Sequence, residues 1–203
     1  MRVHFYEAFA EEAASLQRHV PPGIDATYTW KTIQEADDAE PPADVISVRT
    51  QTLIPDAWHD RLRAVLSRST GYDHLHRQLG HADVHCGYLP LYCAISVAEQ
   101  AILLMMALQR KLPQQQANFS SFTRDGLTGT ETWEKTLVVF GVGHIGREIV
   151  RIGRGLGMRV LGVDPNPAVE DLEYVSREQG LEQADVLICA MDLTPHNHGY
   201  FDD

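Results

Sequence analysis

The 203-residue sequence predicts an α/β protein made of two successive units, each carrying a parallel sheet. Three observations lead there. Short β-branched runs alternate with helical stretches through roughly the first 90 residues. A long apolar helix followed by a polar loop then breaks the alternation. A second strand–turn–helix series, opened by glycines, begins at Leu137.

Taken in order, "RVHFY" (2–6) reads as a strand, and "EAFAEEAASLQRHV" (7–20) repeats apolar residues at helical spacing. "IDATYTW" (24–30) is a β-branched and aromatic strand, while "ADVISVR" (43–49) and "RAVLSRS" (63–69) are apolar runs of strand length. "ADVHCGYL" (82–89) is the fifth strand. Strands separated by helices of this length imply right-handed crossovers and a parallel sheet buried on both faces. "ISVAEQAILLMMALQRKLPQQQ" (95–116) is expected to form one helix, apolar all round over Ile102–Leu108 and therefore buried on all sides between domains or subunits. The polar "ANFSSFTRDGLTGTETWEKT" (117–136) is a connecting loop. In the second unit "LVVF" is a strand and "HIGREIVRIGRGLG" a helix. "RVLGVD", "EYVS" and "DVLICAM" supply three further strands.

Composition narrows the function. With 17 Lys+Arg against 28 Asp+Glu the formal charge is −11, which repels phosphate backbones and anionic membranes and argues against nucleic-acid binding. Cys86, Cys93 and Cys189 are odd in number and irregularly spaced, so a disulfide framework is not expected and a reducing cytoplasm is. The opening "MRVHFYEAFAEE" has no apolar h-region, and "AILLMMAL" (101–108) is too short to cross a bilayer. The expectation is a soluble protein.

The chemistry-bearing motif is Gly141-Val142-Gly143-His144-Ile145-Gly146, a G-x-G-x-x-G match. An apolar strand leads into it, a helical pattern follows, and Asp164 closes the next strand eighteen residues after Gly146. This is the context in which the motif holds a dinucleotide. Gly141 permits the tight turn, Gly143 lets backbone N–H groups approach a pyrophosphate, and Gly146 allows helix and strand to pack closely. The helix N-terminus adds orphan donors and partial positive charge. Asp164 can accept both ribose hydroxyls and repels a 2′-phosphate, so NAD is expected over NADP. The alternative is a bare strand–turn–helix whose glycines serve packing only.

The stretch "DHLHRQLGHADVHC" (73–86) brings His74, His76, His81, His85 and Cys86 near one another in sequence. Their spacing matches no zinc template, and the chain has no H-E-x-x-H and no C-x-x-C, so surface histidines are the expected reading and no metal is assigned. No G-x-S-x-G supports a hydrolase.

At this point the chain resembles the D-isomer-specific 2-hydroxyacid dehydrogenases, within them the D-lactate dehydrogenase relatives. The likeness rests on "RSTGYDHL" (68–75), "LPLYCAISVAEQAILLMMALQR" (89–110), "NFSSFTRDGLTGTETWEKTLVVFGVGHIG" (118–146), "GLGMRVLGVDP" (155–165) and "LEQADVLICAMDLTPHNHGYF" (181–201). The resemblance implies a flavodoxin-like substrate domain over 1–94 and an interdomain and dimerisation helix over 95–117. An incomplete Rossmann, doubly wound NAD-binding domain would follow over 118–203. It implies reversible hydride transfer between NADH and a small 2-oxo acid such as pyruvate, and a homodimer formed through helix 95–116. By the same resemblance Thr70 and Gly71 would hold the substrate carboxylate through their N–H groups. Tyr92 would line the pocket; the other reading of Tyr92 is a buried ring with its hydroxyl in water. His144 and Ile145 join the three glycines and Asp164 as cofactor-binding residues. Two departures stand out. His76 replaces the last Asp of the family's "GYDNID", and Asp192 replaces the proline of its "PLT".

The family's clamping arginine, its histidine acid/base and the acid that orients that histidine lie beyond "LTPHNHGYF", so no catalytic residue is assigned here. His196 and His198 fall on the cofactor side of the resemblance rather than beside the substrate. Without a proton donor and a polarising charge at the carbonyl, little or no turnover is expected of this chain. A non-catalytic NAD(H)-binding short form with a regulatory or interaction role is the alternative.

Overall fold

A computed structural model of the protein describes residues 1–75 and 83–202. Two compact units divide it, one of Met1–Tyr92 with the segment from Leu193 onward, the other of Cys93–Asp192.

The first unit contains β1 (Arg2–Phe5), α1 (Ala10–His19), β2 (Asp25–Tyr28), α2 (Ile33–Ala36), β3 (Val45–Val48), β4 (Ala64–Ser67) and β5 (His85–Gly87). All five strands are parallel in the order β2-β1-β3-β4-β5, with Val3 opposite Val45 and Val45 opposite Ala64. This is the flavodoxin-like order expected. Tyr6, Ile46, Val48, Val65, Trp58 and Leu75 form the core. Burial on both faces is realised only at the centre. β3 is buried along its whole length, whereas β2 lies at the edge and exposes alternate residues, as a strand without a second neighbour must.

In the second unit the expected helix over 95–116 is two helices, α3 (Ala94–Gln109) and α4 (Leu112–Ala117). Pro113 has no N–H to offer the carbonyl of Gln109, and Lys111 turns left-handed with φ 53°. The stranded carbonyl is taken instead by the N–H of Thr130 at 2.9 Å. Nor is α3 buried on all sides within this chain. Ala98, Ile102 and Met105 enter the core, while Leu103, Leu104 and Leu108 are 57%, 55% and 74% exposed.

The sheet of this unit contains β6 (Thr136–Phe140), β7 (Arg159–Val163), β8 (Glu173–Tyr174) and β9 (Val186–Cys189), all parallel, in the order β8-β7-β6-β9. It is flanked by α5 (His144–Gly155) and α6 (Arg177–Gln183). This is the first four-strand order of the Rossmann sheet, with "DVLICAM" at an edge. Two helices went unread in the sequence, α2 and α6. Each is opened by a reciprocal capping box, Thr32 with Glu35 and Ser176 with Gln179.

Candidate functional site

The glycine turn of the second unit sits between β6 and α5. Gly141 has φ +85°, and a Cβ there would lie 2.7 Å from Met191 N, so only glycine fits. A Cβ on Gly146 would come within 2.1 Å of Gly141 O. Both glycines are thus required by the protein's own packing. Gly143 differs. Its φ is −73°, open to any residue, and nothing lies within 4 Å of the position its Cβ would occupy. The protein itself places no demand for glycine there, so that side of the turn is open to a close-approaching ligand.

Gly143 is also the N-cap of α5. It makes no side-chain cap, and the first turn holds no acidic residue, so the helix N-terminus carries uncompensated positive potential. His144 is exposed at that terminus, and Ile145 packs partly against the core below it. Asp164, just past β7, reaches back to the turn. Its Oδ2 accepts the N–H of Val142 at 2.7 Å, and its Oδ1 accepts the N–H of Asn166 at 2.8 Å. A carboxylate offers about four lone-pair positions, so two remain for hydroxyl donors. Gly141, Gly143, Gly146, His144 and Asp164 therefore gather at one end of the sheet. An open glycine, an uncapped helix and a braced carboxylate fit a pyrophosphate flanked by a ribose. Two hollows of this unit, about 400 and 370 Å³, are lined around Phe119 and Phe122 and around Met106 and Trp133, and contain none of these residues.

In the first unit the predicted loop follows β4. Arg68, 8% exposed, is clamped by three elements. Its Nε donates to Glu12 Oε1 of α1 (2.9 Å), its Nη1 to Ser47 Oγ of β3 (2.9 Å) and its Nη2 to the Tyr6 carbonyl (2.6 Å). The carbonyl of Arg68 in turn accepts the Tyr92 hydroxyl at 3.3 Å. The Tyr92 ring is 54% exposed, so the buried-ring, wet-hydroxyl reading is reversed: the hydroxyl is engaged and the ring is out. Thr70 donates its hydroxyl to Leu89 O (3.1 Å), and Ser69 donates its own to Gly71 O (2.7 Å). Next to this loop the rings of Tyr72 and Tyr88 lie 4.6 Å apart.

Two groups here, one buried and one half-buried, leave no mark in the linear sequence. Glu7 adopts φ 51° and accepts the N–H groups of Arg49 (2.8 Å) and Gln51 (3.1 Å), bracing the turn after β3. His74 is half-buried, with its Nε2 2.8 Å from Ser67 Oγ. His76 and His81 lie outside the described residues. His85 is exposed on β5, and burial pushes the Cys86 thiol up. Among the described residues no three His, Cys, Asp or Glu side chains gather as a metal site.

Residues 102–203 match the sequence profile of the D-isomer specific 2-hydroxyacid dehydrogenase, NAD binding domain. D-lactate dehydrogenase of Escherichia coli is 38% identical over 116 residues, 54% of this chain and 35% of that protein. 2-Hydroxyacid dehydrogenase A of Aspergillus oryzae is 28% identical over 195 residues, 89% of this chain and 56% of that protein. The chain thus spans between about a third and somewhat over half of these relatives. Among solved structures, the apo form of E. coli D-lactate dehydrogenase superposes with a TM-score of 0.83 at 24% identity, covering 98% of this chain and 68% of that one. The Aquifex aeolicus D-lactate dehydrogenase complex with NAD and lactic acid gives 0.79 at 22%, covering 96% and 62%. These two likenesses establish the fold.

Proposed function

Because the chain belongs to the D-isomer-specific 2-hydroxyacid dehydrogenase family, we propose that it is the NAD-holding and carboxylate-holding part of a dehydrogenase that interconverts a small 2-oxo acid, such as pyruvate, and its D-2-hydroxy acid. NAD supplies and accepts the hydride when bound. The chain's own residues bind and orient. The backbone around Gly143 and the α5 N-terminus hold the pyrophosphate, with His144 and Ile145 in the same turn. Asp164 takes the adenosine ribose hydroxyls and repels a 2′-phosphate. Thr70 and Gly71 hold the substrate carboxylate, and Tyr92 flanks it. The division into a substrate part over 1–94, a connecting helical part over 95–117 and a cofactor part over 118–203 belongs to the same reading.

The single observation that carries it is Gly143, a glycine with nothing of the protein near its Cβ position, beside a carboxylate with lone pairs in reserve. The exposed Leu103, Leu104 and Leu108 support a homodimer through the α3–α4 region. The three cysteines form no disulfide, which supports a cytoplasmic setting; no helix among the described residues is long and apolar enough to cross a membrane.

On the same reading these 203 residues bind NAD(H), with little or no hydride transfer by this stretch alone. That property also suits a non-catalytic, regulatory short form. NADH fluorescence titration tests the reading. Binding in the micromolar range, with NADPH at least about tenfold weaker, is expected. A folded chain indifferent to millimolar NADH would sink it. Loss of NADH absorbance with pyruvate, glyoxylate or hydroxypyruvate separates the two roles: a robust rate overturns the non-catalytic form.

A further inference from the structure

We propose that His74 is a positioning residue for the carboxylate-holding loop, acting through a one-way chain of hydrogen bonds that runs from its Nε2 through Ser67 and Ser69 to the carbonyl of Gly71. The inference rests on the reading of Thr70 and Gly71 above and adds to it a residue that touches neither ligand.

The direction of the chain follows from counting protons. Gly71 O is a carbonyl and only accepts, so the single hydroxyl proton of Ser69 points at it, at 2.7 Å. Ser69 Oγ also meets Ser67 Oγ. Two hydroxyl oxygens in such contact need a proton between them, and Ser69 has none left, so Ser67 donates. Ser67 Oγ then has no proton for His74, and the 2.8 Å contact requires a hydrogen on His74 Nε2. Ser67 and Ser69 are 2% and 6% exposed, so water does not replace either partner.

The chain starts from a fixed point. His74 lies in the 3-10 turn Asp73–Leu75, where Leu75 is fully buried and its N–H bonds to Tyr72 O at 2.9 Å. It ends by pinning the 71–72 peptide through Gly71 O. On the other side, Leu89 N–H donates to Ser69 O at 3.1 Å and pins the 69–70 peptide. All peptides here are trans, so that contact turns the Thr70 N–H away from Leu89. The peptide carrying the Gly71 N–H is thus bracketed by two pinned neighbours, and His74 sets one of the two brackets.

Oxamate, an unreducible analogue of a 2-oxo acid, is the probe, titrated into NADH-saturated protein. His74→Phe keeps a ring and removes the donor, and oxamate affinity is expected to fall about tenfold with NADH affinity unchanged. His74→Gln places an amide N–H near the Nε2 position and should stay within about threefold of the parent. Ser69→Ala cuts the same chain at its far end. The double variant His74→Phe/Ser69→Ala is therefore expected to lose no more than either single change, whereas two independent structural defects would add. Imidazole 15N resonances, with His74 assigned by its loss in His74→Gln, should show Nε2 protonated at pH 8. Equal oxamate affinity in His74→Phe and the parent, additive losses, or an unprotonated Nε2 at pH 8 each overturn the proposal. A parent that takes NADH but no oxamate overturns the carboxylate-loop reading itself, a result distinct from any of these.

Discussion

A methyl group on Gly146 would sit 2.1 Å from the carbonyl oxygen of Gly141; the same group on Gly143, three residues earlier, would touch nothing. The two glycines should therefore fail in opposite ways. Gly146→Ala is expected to destabilise the protein by about 3 kcal/mol through forced separation of helix and strand, read as a lowered midpoint in urea. Gly143→Val should cost only about 1 kcal/mol, the loss of a favoured N-cap, yet abolish NADH fluorescence enhancement. A Gly143→Val protein that binds NADH normally would remove the main support for the cofactor reading. Arg68 is a third residue with a definite cost. Its truncation to Met would remove a donor from Ser47, the Tyr6 carbonyl and Glu12 together, leaving Ser47 its bond to Leu66 O and Glu12 its pairing with Arg49, and a loss of about 2–3 kcal/mol is expected in the same measurement.

At the scale of elements, α3 presents two faces with different fates. Ala98, Ile102 and Met105 pack against Leu137, Val139 and Ile149, so Met105→Ala should cost about 2–3 kcal/mol of stability. Leu104 is exposed, so Leu104→Lys should leave stability alone but weaken the homodimer proposed above by about tenfold or more, as read by sedimentation at varied concentration. These contrasts also show what the sequence reveals about elements. Strands such as "ADVISVR" and "RVLGVD" are legible because burial on two faces demands unbroken β-branched runs. The helix predicted over 95–116 runs past Pro113, where the structure breaks it in two. Apolar periodicity carried through a point where backbone hydrogen bonding could not. The short helices α2 and α6 carry too few residues to show a period, and only their capping boxes mark them. The glycine turn was legible because three glycines answer to three separate constraints. The Ser67–His74 contact was not, since residues seven apart that meet across a loop leave no pattern in a linear string.

For the molecule as a whole, pH acts through a few groups. Burial lowers the pKa of His4 below its usual 6.5, an effect that outweighs the opposing pull of Asp38. Its contribution to stability is then complete above about pH 6.5 and is lost as the pH falls toward its folded value. The backbone bond from Thr136, then Lys135, depresses Asp185, whose contribution is lost only in more strongly acid solution. Burial, then the bond to Asp38, holds Tyr6 neutral far above its ordinary 10, so stability declines as pH rises past that value. A plateau between about pH 6.5 and 9 is expected, its alkaline end set first by the Cys86 thiol that burial pushes above its ordinary 9.0. Melting temperatures of the parent and of His4→Gln, compared between pH 6.5 and 5, check the acid side: the variant should show the shallower decline.

The bond between Asp164 and the Val142 N–H has an evolutionary corollary. The carboxylate that would turn away a phosphorylated ribose is also the strut under the phosphate turn. Shortening it to admit the 2′-phosphate of NADP leaves that amide without its acceptor and loosens the turn both nucleotides would share. A change of coenzyme in this lineage would need at least two coordinated substitutions. A single replacement such as Asp164→Ser should surrender the old coenzyme without acquiring the new.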